Sequence, residues 1–182
     1  MIQELVVVIY FSRKDENLIC GKIEDLSVGN TQILAEKIGE YVQAETLEIC
    51  PVKQYPKNYH EMIAQAEKEK RENLRPNFLP LENSVDAEAI FLGFPNWCGS
   101  FPRVVARFLE SYDFSQKTLY PFCTHEGSSF GSSLIELRQL CPDSLIMLGL
   151  PVRGSKVQGA DRAVKNWLAQ YQNNGGMENG KK

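Results

Sequence analysis

The chain has 182 residues, 43% of them hydrophobic and 24% charged, with a formal net charge of -3. That is room for one full α/β domain and not for two comfortable ones, and the charge offers nucleic acid no electrostatic footprint. The five cysteines, at 20, 50, 98, 123 and 141, form no Cys-x-x-Cys pair and no zinc-spaced Cys/His cluster, so they read as reduced thiols of a cytoplasmic protein. The apolar run Leu5 to Phe11 is too short to span a membrane, and Gln3 and Glu4 stand where a signal peptide carries Lys or Arg, so neither membrane nor export is expected.

In chain order, "LVVVIYF" (5–11) is continuously apolar, as a strand buried on both faces must be. Residues 13–28 then intervene before a helix whose apolar stripe is Ile33, Leu34, Ile38 and Tyr41. A βα connection normally takes about 2 to 6 residues, so this insertion is expected to be functional. Its "LICGKIEDLSV" places short apolar segments around a glycine turn, which predicts a hairpin beside a site, serving as lid or partner surface. "TLEIC" (46–50) alternates and suits a sheet edge. A second helix carries Tyr59, Ile63 and Ala66 and ends in the solvated run "EKEKRENLRP" (67–76).

The buried pattern returns in "AIFLGF" (89–94), "TLYPFC" (118–123) and "LIMLGL" (145–150). Helices follow each of them, marked by Val104, Val105, Phe108 and Leu109, then Leu134, Leu137 and Leu140, then Val164, Trp167, Leu168 and Tyr171. Pro121 predicts a bulge or early fraying in its strand. The order βαβαβαβαβα predicts a three-layer α/β domain over residues 1–172, with a five-stranded, doubly wound parallel sheet, followed by a flexible polar tail at 173–182.

In such a sheet ligands bind beyond the carboxyl ends of the strands, which directs attention to the loops after strands one, three and four. Gly29, Asn30 and Thr31 open the first helix, where free N–H groups and the helix dipole suit a phosphate; the same residues suit plain helix capping. Ser12, ending strand one, closes that cradle. Gly-Lys-Ser/Thr and Gly-x-Gly-x-x-Gly are both absent there, which excludes a P-loop hydrolase and a dinucleotide fingerprint. Pro95, Asn96, Trp97, Cys98 and Gly99 form a rigid turn after strand three, and Trp97 either stacks on a planar ligand or folds back onto the next helix. Cys98 has no base and acid partner evident and reads as a bystander thiol. After strand four, Thr124, His125, Gly127 and Ser128 form a pliable polar loop in which His125 is open to three roles: acid–base group, ring hydrogen-bond donor, or solvated residue.

Together "YFS", "VGNTQILAEKI", "IFLGFPNWCGSFPRVVARFLESYDF" and "PFCTHEGSSFGSSLIELRQLCPDS" resemble the flavodoxin family, specifically a branch with Pro-x-Trp and Thr-His loops, over about residues 4 to 170. The resemblance implies sheet order 2-1-3-4-5 and flavin mononucleotide (FMN) as cofactor. It places Ser12, Gly29, Asn30 and Thr31 at the phosphate, and Pro95, Asn96, Trp97, Cys98, Gly99, Thr124, His125, Gly127 and Ser128 beside the isoalloxazine. The chain departs from the pattern in the 13–28 insertion and in lacking the ring-stacking tyrosine of electron-carrier flavodoxins in the second of these loops.

The resemblance implies a redox protein. It either carries electrons to a partner protein or acts as an oxidoreductase that uses NAD(P)H to reduce a quinone-like acceptor. A flavodoxin-fold scaffold module without flavin chemistry is the alternative. Residues 93–103 and 122–132 contain Glu126 as their only acid, together with Arg103. An absent carboxylate at about 8 Å and an effective dielectric of about 20 is worth roughly 2 kcal/mol, so the flavin is expected to be less strongly tuned for low potential than in an electron carrier.

Overall fold

The computed structural model describes residues 5–81 and 86–173. Five parallel strand positions make the main sheet. Strand β1 (Val6–Tyr10) lies between β4 (Glu45–Glu48) and β5 (Ala89–Pro95); β6 (Thr118–His125) follows β5, and the fifth position is shared by two short strands, β7 (Leu145–Ile146) and β8 (Leu150–Arg153), which both pair with β6. Counting positions along the chain, the order is 2-1-3-4-5, the doubly wound order in which the chain reverses direction beside β1.

The sheet is the middle of three layers because each central strand feeds two cores. Val7 and Ile9 enter one core with Met62, Val104, Phe108 and Leu137; Val8 and Tyr10 enter the other with Leu34, Ile38, Val164 and Tyr171. The helices α2 (Tyr59–Arg71), α3 (Arg103–Ser111) and α4 (Ser133–Leu140) therefore cover the first face. Helices α1 (Asn30–Val42) and α5 (Asp161–Trp167) cover the second. No helix among the described residues is long and apolar enough to cross a membrane.

The long connection after β1 folds as an antiparallel hairpin, β2 (Asp15–Ile19) against β3 (Lys22–Leu26). Its turn is Cys20-Gly21, both at positive φ (50° and 79°), the left-handed pair that a two-residue hairpin loop requires.

Pro121 corrects one expectation. Strand β6 runs through it without a bulge and pairs Pro121 with Leu92 of β5. Thr118 donates its N–H toward β5, to Glu88 O, whereas the Leu119 carbonyl accepts from Met147 on the other side. Alternation along the strand then turns the Pro121 nitrogen toward the fifth position, and that neighbour is broken at 147–149. The missing donor interrupts the partner strand and leaves its own intact. The tail expected at 173–182 falls outside the described residues beyond 173.

Candidate functional site

At the carboxyl end of the sheet, α1 begins with two N–H donors that find no acceptor among the described residues. Gly29 is the N-cap, with an extended backbone and no side chain to cap with. Ser12 serves instead, its Oγ accepting the Gln32 N–H at 3.0 Å. A Cβ on residue 29 would lie 2.2 Å from Ser12 Oγ and 2.7 Å from the Arg13 carbonyl, so only glycine allows β1 to close on the helix end. The N–H groups of Asn30 and Thr31 have no acceptor among the described residues and point with the positive end of the helix dipole. Thr31 and Thr124, both buried, share a hydrogen bond between hydroxyls at 2.7 Å, which joins the helix to the carboxyl end of β6.

The loops after β5 and β6 are sewn together. Trp97 and Ser100 exchange backbone hydrogen bonds around Cys98-Gly99, both at positive φ. Asn96 donates its N–H to Thr124 O at 2.8 Å and its amide to Ser129 O at 2.6 Å. Gly131 comes so close that a Cβ there would stand 2.2 Å from Gly99 O, and Ser132 donates to that same oxygen from both its N–H and its hydroxyl.

The hairpin forms another wall and is fastened at both ends, by insertion side chains at its base and by its backbone at the tip. Arg13, 9% exposed, donates to the carbonyls of Pro56, Lys57 and Glu16. Burial lowers its pKa, against the opposing pull of Asp15 and Glu16. The Glu16 carboxylate accepts the Tyr59 N–H at 2.7 Å. At the tip, Cys20 donates its N–H to Glu126 Oε2 at 3.0 Å.

These elements enclose a cavity of about 380 Å³, within the range of roughly 300–1,000 Å³ typical of small-molecule sites. Of the residues singled out in the sequence, Asn30, Thr31, Pro95, Asn96, Trp97, Thr124, His125, Gly127 and Ser128 line it together. Ser12, Gly29, Cys98 and Gly99 do not: the first two shape the helix end and the last two form the turn behind Trp97. Trp97 is only 7% exposed and meets Phe11 and Tyr55 edge-on, at centroid distances of 5.3 and 4.9 Å. It belongs to the core as well as to the cavity wall.

The cavity is neutral to mildly polar. His125 accepts the Gly127 N–H at Nδ1, which leaves the proton of a neutral ring on Nε2. Burial and the nearby Arg153 hold its pKa below the ordinary 6.5, against Glu126, so the ring is a neutral donor at pH 7. The Cys98 thiol is pushed up by burial and by Glu67, the wrong direction for a nucleophile. Arg103, expected beside the ring-bordering loops, turns away into an ion pair with Glu136 at 2.8 Å and donates to Ser100 and Phe101. No group of His, Cys, Asp and Glu suited to a metal ion occurs among the described residues.

Arg13, Asn17, Leu18, Tyr59, Met62, Ile63, Glu126 and Gly154 also line the cavity and were not singled out as site residues from the sequence. Most come from the insertion and α2, and the sole local signal for them was the length of the insertion itself.

A family model described as Flavodoxin matches residues 25–171. A candidate flavoprotein from Bacteroides eggerthii has a similar structure, with a TM-score of 0.73 and 24% identity over 91% of this chain and 96% of that one. A second, from Bacteroides uniformis, gives 0.71 and 26% over 88% and 97%. The structure of a flavoprotein in complex with FMN from Lactobacillus acidophilus gives 0.63 and 15% over 90% and 98%. No curated protein sequence matches the chain.

Proposed function

The chain belongs to the flavodoxin family, and on that premise we propose that it binds FMN at the carboxyl end of its sheet and acts as an oxidoreductase. In this reading it passes electrons from NAD(P)H to a small, quinone-like acceptor in the cytoplasm. The observation that carries the reading is one cavity that joins unclaimed helix N–H groups at one end to two interlocked aromatic and polar loops at the other.

The residues present fit the cofactor. A phosphate is served by the N–H groups of Asn30 and Thr31 and by the Thr31 hydroxyl, with no need for a lysine cluster. Trp97 supplies an aromatic surface, Asn96 and Thr124 fix the two loops that border the ring, and His125 offers a donor from Nε2. When bound, the flavin supplies the exchange of one or two electrons, and the protein places and tunes it. Glu126 is the one acid on the cavity wall among the described residues, and Arg13 contributes a cation. A wall with so little negative charge penalises a reduced, anionic ring less than a fence of carboxylates does, which favours a reductase over a low-potential carrier.

The test is a titration with FMN and with riboflavin, followed by anaerobic addition of NADH or NADPH and then of menadione. Tighter binding of FMN than of riboflavin, with nicotinamide oxidation that depends on menadione, is the expected result. Bound FMN that no nicotinamide reduces would return the protein to the carrier reading. A protein that stays colourless after FMN is added would be a scaffold module on the same fold.

A further inference from the structure

The Trp97 indole packs edge-on with Phe11 and Tyr55 and is left 7% exposed, so it offers a planar ligand only a fraction of an aromatic face. The loop after β6 has no tyrosine to add a second one. A second one nevertheless lines the cavity: Tyr59, the first residue of α2. Its ring packs partly against the core, and its hydroxyl has no hydrogen-bond partner among the described residues. It shares the cavity wall with Trp97 of the loop after β5, Arg13 of the insertion and Glu126 of the loop after β6. Burial raises its pKa, so it remains a neutral phenol at neutral pH.

The placement of Tyr59 is costly in contacts. Asn58 already caps α2 by accepting the Glu61 N–H. The insertion then adds charged groups from 43 and 44 residues away: Glu16 takes the Tyr59 N–H and gives its own to Lys57 O, while the Arg13 guanidinium holds the carbonyls of Pro56 and Lys57. Charge-assisted hydrogen bonds of this kind fix backbone position more firmly than a neutral cap does. All of them converge on residues 56–59, directly before and at the tyrosine.

Resting on the flavin reading above, we infer that Tyr59 is the second aromatic contact of the flavin ring, and that the Arg13–Glu16 clamp of the insertion positions it. The insertion therefore replaces, from a different element, the tyrosine missing after β6.

The test uses FMN-loaded protein and reads the emission of the bound flavin and its affinity for the wild type, Tyr59→Phe, Tyr59→Leu and Glu16→Ala. Leucine keeps the apolar bulk, so loss of fold is not the expected cause of a change, and circular dichroism checks this. Tyr59→Leu should raise bound-flavin emission several-fold and weaken FMN about tenfold, as loss of a stacked ring does. Tyr59→Phe should keep the quenching, and Glu16→Ala should move emission in the direction of Tyr59→Leu by a smaller factor. Wild-type protein that binds and quenches FMN while Tyr59→Leu changes neither quantity would overturn the inference and leave the flavin reading standing. Wild-type protein that binds no FMN would overturn both.

Discussion

Replacing Thr31 by valine removes one hydroxyl at nearly constant shape. Thr31 is 1% exposed and Thr124 5% exposed, and their hydroxyl oxygens are 2.7 Å apart. The single change strands the Thr124 hydroxyl away from water, which costs about 1–3 kcal/mol, whereas replacing both partners by valine removes the unsatisfied group and comes closer to neutral. The Thr31→Val/Thr124→Val pair should therefore lose less than the sum of the two single variants, with a coupling of about 1 kcal/mol or more. Urea unfolding of the four proteins without ligand measures it, and each kcal/mol should also move the thermal midpoint by about 2–4 °C in a domain of this size. Additivity within about 0.5 kcal/mol, the scatter expected of independent sites, would refute the pairing. In the same set Thr31→Val should weaken FMN more than riboflavin, because the variant lacks the hydroxyl that serves the phosphate in the proposed site.

Gly131→Ala should destabilise the protein by at least about 1–3 kcal/mol, since the new Cβ meets Gly99 O at 2.2 Å on a backbone with φ of 54°; denaturant melts check this. Arg103→Leu leaves the Glu136 carboxylate without its 2.8 Å partner. With that side chain 24% exposed, the expected loss is about 3 kcal/mol, the low end for a broken buried pair, measured in the same way. For His125 the folded pKa lies below 6.5, so the unfolded chain takes up the proton first on acidification. Its contribution is complete above about pH 6.5 and is lost as pH falls through the folded value. A pH series of unfolding free energies should be shallower in His125→Gln between about pH 7 and pH 5, and a proton resonance of His125 that titrates above 6.5 would contradict the sign.

Much of the architecture was legible because burial on both faces leaves a strong mark. Runs such as Val7 to Phe11 and Ile90 to Phe94 have no polar residue to spare, and the turn at Gly21 announces a hairpin. What was not legible depends on contacts between distant residues. Pro121 breaks its neighbour because its nitrogen faces the fifth strand position, a matter of register. Arg103 sits next to a ring-bordering loop in sequence, yet Glu136, 33 residues on, decides where its guanidinium points. Ser12 is adjacent to the predicted phosphate cradle, and its cap on Gln32, 20 residues on, is a contact that no local pattern records. Tyr59 read as one apolar position of a helical stripe, since nothing local records that Glu16 holds its backbone.

In the function proposed above, the cavity at the end of α1 is a flavin mononucleotide site. The most direct measurement is the visible absorption spectrum of the purified protein before and after FMN is added and free ligand removed, run alongside Thr31→Val. A retained flavin band with perturbed shape and one equivalent of FMN per chain is expected in the wild type, with weaker retention in the variant. A spectrum that returns to that of the bare protein after free FMN is removed, in wild type as in variant, would contradict it.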